Sequence, residues 1–124
     1  MQTSDYRNLK VWQKAMDLTV EIYSLVKLLP REETNALADQ MRRAVVSIPS
    51  NIAEGHGRNS DKEFIKFLTI SRGSLLELET QIKICHRLGY FKANQTDSAS
   101  SLMIEISKML NALIAYRTNL TPNT

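Results

Sequence analysis

The stretch Gln40-Met41-Arg42-Arg43-Ala44-Val45-Val46-Ser47-Ile48-Pro49-Ser50-Asn51-Ile52-Ala53-Glu54-Gly55 decides the reading of this 124-residue chain. Its apolar members Met41, Ala44, Val45, Ile48 and Ile52 return at steps of three and four, and Leu37 extends the row one turn upstream. That is the period of one helix face, not the alternation of a strand. Pro49 stands inside the row, where it removes a backbone hydrogen bond and crowds the preceding turn. The row stays in phase on both sides of it, so the spacing predicts one proline-kinked helix over Thr34–Glu54, not two helices. Thr34 or Asn35 is placed to cap its start. Gly55 stands where a left-handed C-terminal residue is wanted.

Three more stretches carry the same period. From Leu9 to Leu28 the row Leu9, Trp12, Met16, Thr19, Tyr23 and Val26 forms a face that Ala15, Ile22 and Leu29 widen, and Pro30 stops it. Trp12 and Tyr23 are expected in the core. Val11, Leu18 and Leu25, spaced by seven, fall outside that face and are expected to be exposed as a seam between subunits. From Asp61 to Leu88, Ser60 and Glu63 form a capping box, followed by Phe64, Phe67, Leu68, Ser71, Leu75, Leu78, Ile82 and Cys85, with Gly89 as the stop. Gly73 lies inside this helix beside Ser71 and Ser74, and is expected to mark the close approach of a neighbour. From Asp97 to Tyr116 the face is Leu102, Ile106, Met109, Leu110, Leu113 and Ile114. The links, 30–33, 55–60 and 89–96, are short, which makes successive helices run antiparallel. The expected fold is all-α: an antiparallel up-down-up-down four-helix bundle over residues 1–118, with a frayed tail over 119–124.

Composition agrees. Four glycines and three prolines are too few for the turns of an all-β fold. A hydrophobic content of 43% with 23% charged residues suits one folded core and argues against disorder. Cys85, the single cysteine, can form neither an intrachain disulfide nor a cysteine-rich zinc site. Met1 to Asn8 is polar, without the apolar region of a signal peptide. No run approaches the roughly 18 apolar residues that a membrane span needs, so a cytoplasmic protein without membrane contact is expected. Asn94-Gln95-Thr96 and Asn119-Leu120-Thr121 match the glycosylation pattern and read as chance. A net charge of +3 is a mild lean toward anionic partners.

Beyond periodicity, Leu9-x-Val11-Trp12, Gln40 to Ala44, Ser47-Ile48-Pro49-Ser50-Asn51-Ile52-Ala53-Glu54-Gly55, Phe64-x-x-Phe67-Leu68, Arg72-Gly73-Ser74 and Glu77-x-Glu79 stand in an order that resembles the bacterial four-helix-bundle family encoded in intervening sequences of 23S ribosomal RNA genes, also labelled S23 ribosomal protein. The resemblance runs from about Tyr6 to Tyr116. It implies a homopentamer with no established enzymatic activity. It also implies kinship with the accessory protein of diversity-generating retroelements, a pentameric barrel that binds a reverse transcriptase and nucleic acid through basic surface. The transcriptase partner does not transfer, because this chain matches the intervening-sequence branch better.

Chemistry is hard to place on these helices. Glu77 and Glu79 point about 200° apart on a helix and cannot flank one substrate. Cys85 and His86 are adjacent and fall on different faces, His56 is in a loop, and the Glu-x-x-His pattern of di-iron bundles is missing. No catalytic residue, cofactor or metal is expected. Arg43, Ser47, Asn51 and Glu54 form one stripe on the second helix, and Arg72 and Glu79 share a face of the third. Their expected role is a polar network that fixes helix register or lines a subunit contact. The segment Gly55 to Ser60 follows a helix and lacks Gly-Lys-Ser/Thr, which excludes a nucleotide loop. It does lead to the start of the third helix, where free N–H groups favour anions. Arg58, Lys62 and Lys66, at steps of four, are the candidate RNA or DNA contact there. Lys10 and Lys14 are expected to pair with Asp17 and Glu21. The function expected is a non-enzymatic oligomeric scaffold with RNA- or DNA-binding basic surface; the alternative is an adaptor for an unidentified protein, without nucleic-acid binding.

Overall fold

The computed structural model describes residues 5–120. Helices begin and end where their free backbone groups find partners. The Ser60 hydroxyl accepts the Glu63 N–H at 3.2 Å and starts α3 (Asp61–Arg87). Gly89, at φ +80°, turns the chain out of it while the Tyr90 N–H donates back to Cys85 O at 2.9 Å. Before it come α1 (Lys10–Val26) and α2 (Leu37–His56), and after it α4 (Asp97–Leu120). Short 3-10 turns sit at Tyr6–Asn8, Arg31–Glu33 and Ala93–Thr96, and no strand occurs among the described residues. The helix α4 includes Asn119 and Leu120, which the sequence assigned to the frayed tail; the remainder of that tail lies outside the described residues.

The helix α2 starts three residues later than its composition suggests. Neither Thr34 nor Asn35 caps it; the Glu33 carboxylate accepts the Leu37 N–H at 3.3 Å instead. It then runs unbroken through Pro49 to His56. Proline has no N–H, so Val45 O loses its partner one turn back. The Thr19 hydroxyl of α1, bonded to Ala15 O at 2.8 Å, lies 3.5 Å from that carbonyl.

Each helix packs against two others, α1 on α2 and α4, and α3 on α2 and α4, which closes a four-helix bundle. Met41 meets Cys85, Ile48 meets Ser71, and Gly55 meets Phe67. Moving up α2 therefore means moving down α3. Thr96 with His86, Asn111 with Arg72, and Arg117 with Asp61 give the same antiparallel sense to α3 and α4. The rows expected on α2 and α3 do face the core, with Met41, Val45, Ile48, Ile52, Leu68 and Leu78 fully buried.

On α1 the buried face is shifted: Ala15, Ile22 and Val26 are buried as expected, and Leu9, Trp12 and Leu29 pack against the core. Val11, Leu18 and Leu25 are in the core, whereas Met16 and Tyr23 are exposed and Trp12 is half-buried. The seam expected on Val11, Leu18 and Leu25 is therefore internal. The helix α1 is apolar on most of its circumference, and the positions of α2 and α4 select which line is covered. The ion pairs differ too: Lys14 reaches Glu105 of α4 at 3.3 Å, not an acid on its own helix.

Two glycines exchange the roles expected of them. Gly55 is helical and buried: a Cβ there would lie 2.5 Å from Phe67 Cβ and 3.0 Å from Phe64 Cδ1. The obstacle is the root of a side chain on the facing helix, which can yield only if α3 moves. Gly73 is exposed and would meet nothing within 4 Å. Gly55→Ala should destabilise the protein by about 1–3 kcal/mol through overpacking, while Gly73→Ala should stabilise it by about 0.5–1 kcal/mol through helix propensity. Urea midpoints of the two variants check both signs.

Candidate functional site

Three places on the bundle gather polar or charged side chains. The first is the seam between α2 and α3. Ser47 Oγ lies 2.9 Å from Ser74 Oγ, and the Asn51 amide donates to Ser47 O at 2.8 Å and to Ser47 Oγ at 2.9 Å. One turn inward, buried Ser71 donates to Ile48 O at 2.9 Å. Of the stripe singled out in the sequence, the structure brings Ser47 and Asn51 together here. Arg43 instead faces solvent, its side chain 80% exposed and paired with Asp39 at 2.9 Å. Glu54 turns to Arg58, and Arg72 Nη1 donates to Asn111 Oδ1 of α4 at 3.0 Å. Glu79 lies on the wall of an open groove of about 510 Å³ between α3 and α4. Hydroxyls and a carboxamide, with backbone partners, set the helix register here; no nucleophile is paired with a base.

The second place is the end of the bundle where α2 passes to α3, around a shallow depression of about 570 Å³. Arg58 Nη2 pairs with Glu54 Oε2 at 2.8 Å, and its guanidinium lies 5.0 Å from the Phe67 ring centre. Lys66 Nζ lies 5.9 Å from the same ring. Two of the three candidate nucleic-acid contacts thus share one aromatic ring. Lys62, one turn before Lys66, is exposed. Two further residues that sequence reasoning missed belong to this end. His56 stands edge-on to Phe64, with ring centres 5.6 Å apart. Arg117 of α4 reaches Asp61 at 2.6 Å and lies 4.9 Å from the Phe64 ring centre. Nothing local in the sequence signals Arg117, since its partners are more than fifty residues away. The acids Glu54, Asp61 and Glu63 dilute the positive field at this end.

The third place joins the two remaining loops. Glu33, besides receiving the Leu37 N–H, accepts the Tyr90 hydroxyl at 2.8 Å. The carboxylate beside it pushes the Tyr90 phenol above its ordinary pKa. Nearby Cys85 is buried, its sulfur 3.8 Å from Met41 Sδ, and burial raises its thiol to about 11. It is neutral at physiological pH and therefore a poor nucleophile or metal ligand. Among the described residues no group of three or more His, Cys, Asp or Glu is placed to hold a metal ion, and no helix is long and apolar enough to cross a membrane.

Glu33→Ala should weaken the start of α2 by about 0.5–1 kcal/mol and return the Tyr90 ionisation, followed by absorbance at 295 nm, toward its ordinary value. Because the folded state holds the Tyr90 proton more tightly, the stabilisation is intact below about pH 10 and fades as pH rises through the folded value. The stability gap between wild type and variant should be flat near neutrality and narrow in alkali.

Comparison with known proteins agrees with this frame. The sequence profile of the 23S rRNA-intervening sequence protein matches residues 7–112. No curated protein matches the chain. Among solved structures, a protein of unknown function from the S23 ribosomal protein family of Bacteroides thetaiotaomicron superimposes with a TM-score of 0.78 at 29% identity, covering 85% of this chain and 95% of that one. The profile spans all of α1, α2 and α3 and most of α4, and this chain belongs to the 23S rRNA-intervening sequence protein family.

Proposed function

We propose that this protein is a non-enzymatic, self-assembling helical scaffold, five copies to the assembly, that offers a weak contact surface for RNA or DNA backbones at the α2–α3 end of each copy. The observation that carries the reading is the set of large apolar side chains left uncovered on single copies: Val20 is 69% exposed, Leu76 59% and Ile104 57%. Leu76 and Ile104 share one groove, and exposed apolar side chains gathered in this way mark contact surfaces. The number five follows from the resemblance to intervening-sequence proteins and to the retroelement accessory protein. The lack of catalysis is supported by what the gathered polar groups do. They hold helix against helix, and the one thiol is buried and protonated.

The nucleic-acid part of the reading rests on Arg58, Lys62 and Lys66. One copy offers few cations, and each phosphate contact contributes modestly and is screened by salt. Repetition around an assembly multiplies such contacts without strengthening any one of them. Binding should therefore be sequence-independent and steeply salt-sensitive. In the triple variant Arg58→Glu, Lys62→Glu, Lys66→Glu, duplex DNA and RNA should bind at least about tenfold more weakly at low salt, with a salt slope smaller by about 2–3. Equal binding by the variant would remove these residues from the contact. Recovery of one protein partner after nuclease treatment, with no bound nucleic acid, would favour the adaptor role instead.

A further inference from the structure

The cations at the α2–α3 end are not equally available to an anion. Lys62 and Lys66 are exposed, and neither forms an ion pair among the described residues. Arg58 is engaged twice. Its Nη2 donates to Glu54 Oε2 at 2.8 Å, and its guanidinium lies 5.0 Å from the Phe67 ring centre. The backbone holds this arrangement in place. Glu54 stands in the last turn of α2, and the Arg58 N–H bonds to Gly55 O at 3.1 Å, so the chain is still wound past the helix end. Phe67 is seated where Gly55 lacks a Cβ.

Two ion pairs of this end differ in how firmly they are held. Arg117 and Asp61 are 29% and 30% exposed and tie α4 to α3, whereas Arg58 and Glu54 are 46% and 54% exposed. An ion pair in open water is weak and changes partners readily. A phosphate offers a guanidinium the same two-oxygen acceptor as a carboxylate. Glu54 therefore stands on Arg58 where a phosphate would stand. If Arg58 moves to a phosphate, the nucleic acid loses one counterion, but the freed Glu54 carboxylate takes one up in exchange. The exchange releases no net salt, so Arg58 adds little to the driving force of binding. The freed carboxylate also repels the phosphate beside it.

We infer that Glu54 is a built-in competitor for the phosphodiester backbone: it occupies Arg58 and leaves the wild-type contact to Lys62 and Lys66. This inference rests on the nucleic-acid reading above and names the residue that sets the strength of that contact. The test is the salt dependence of binding, followed by fluorescence anisotropy, of a short DNA duplex and, separately, of the RNA duplex of the same sequence. Wild type, Glu54→Gln, Arg58→Gln and the double variant are compared, with helix content checked by circular dichroism. Glu54→Gln should bind about threefold to tenfold more tightly at low salt, with a salt slope steeper by about 1. In the Arg58→Gln background the same change should leave the slope where it is. A gain of this kind with either duplex supports the competitor and names the backbone it acts against. A slope that changes equally with and without Arg58, or does not change in either background, overturns the competitor, while wild-type binding still supports the Lys62 and Lys66 contact. Wild-type and Glu54→Gln proteins that bind neither duplex overturn both readings.

Discussion

The close approach of α2 and α3 is the constraint on which the rest of the bundle depends. Gly55 leaves room for the root of Phe67, Ser71 reaches the backbone of α2 at Ile48, and Ser47 meets Ser74 hydroxyl to hydroxyl. Interaxial distance follows the size of the side chains at the crossing, and here those are a glycine and serines. A larger residue at any of these points would push α3 outward. Such a shift would carry α4 with it through Arg72–Asn111 and Arg117–Asp61. Pro49 belongs to the same arrangement. Its missing N–H weakens α2 at mid-length, and both neighbouring helices place hydroxyls beside the carbonyls of that turn.

Charge is kept away from this interior. Among the described residues, the buried polar side chains are a serine, a glutamine and a threonine, none of them ionised. The hydrogen bond from Ser71 to the α2 backbone and the one between Thr96 and His86 fix register without the desolvation penalty of a buried ion pair. Lysines, arginines and carboxylates are left at the ends and outer faces, where their field acts on other molecules. The interior is devoted to holding four helices in one register.

Surface placement also links the two binding readings. The basic end at Arg58 and Lys66 lies where α2 passes to α3, whereas the uncovered apolar lines run along α1 and between α3 and α4. The basic end and the apolar flanks use different residues.

Much of this was legible in the chain itself. Steps of three and four on α2 and α3 named residues that are buried, Ser60 does start α3, and Gly89 does end it. The sequence settles such features because they are local: period, caps and turn geometry depend on residues within one or two turns. On α1 two apolar lines lie about 130° apart, and only the partner helices decided that Val11, Leu18 and Leu25 go inside and Tyr23 does not. Tertiary structure likewise decided which glycine is crowded, that Lys14 bonds Glu105, and that Glu33 both caps α2 and holds Tyr90. The physical reason is the same each time: steric room and ionic partners come from atoms on other helices, and linear spacing carries no record of which helix arrives at a given face.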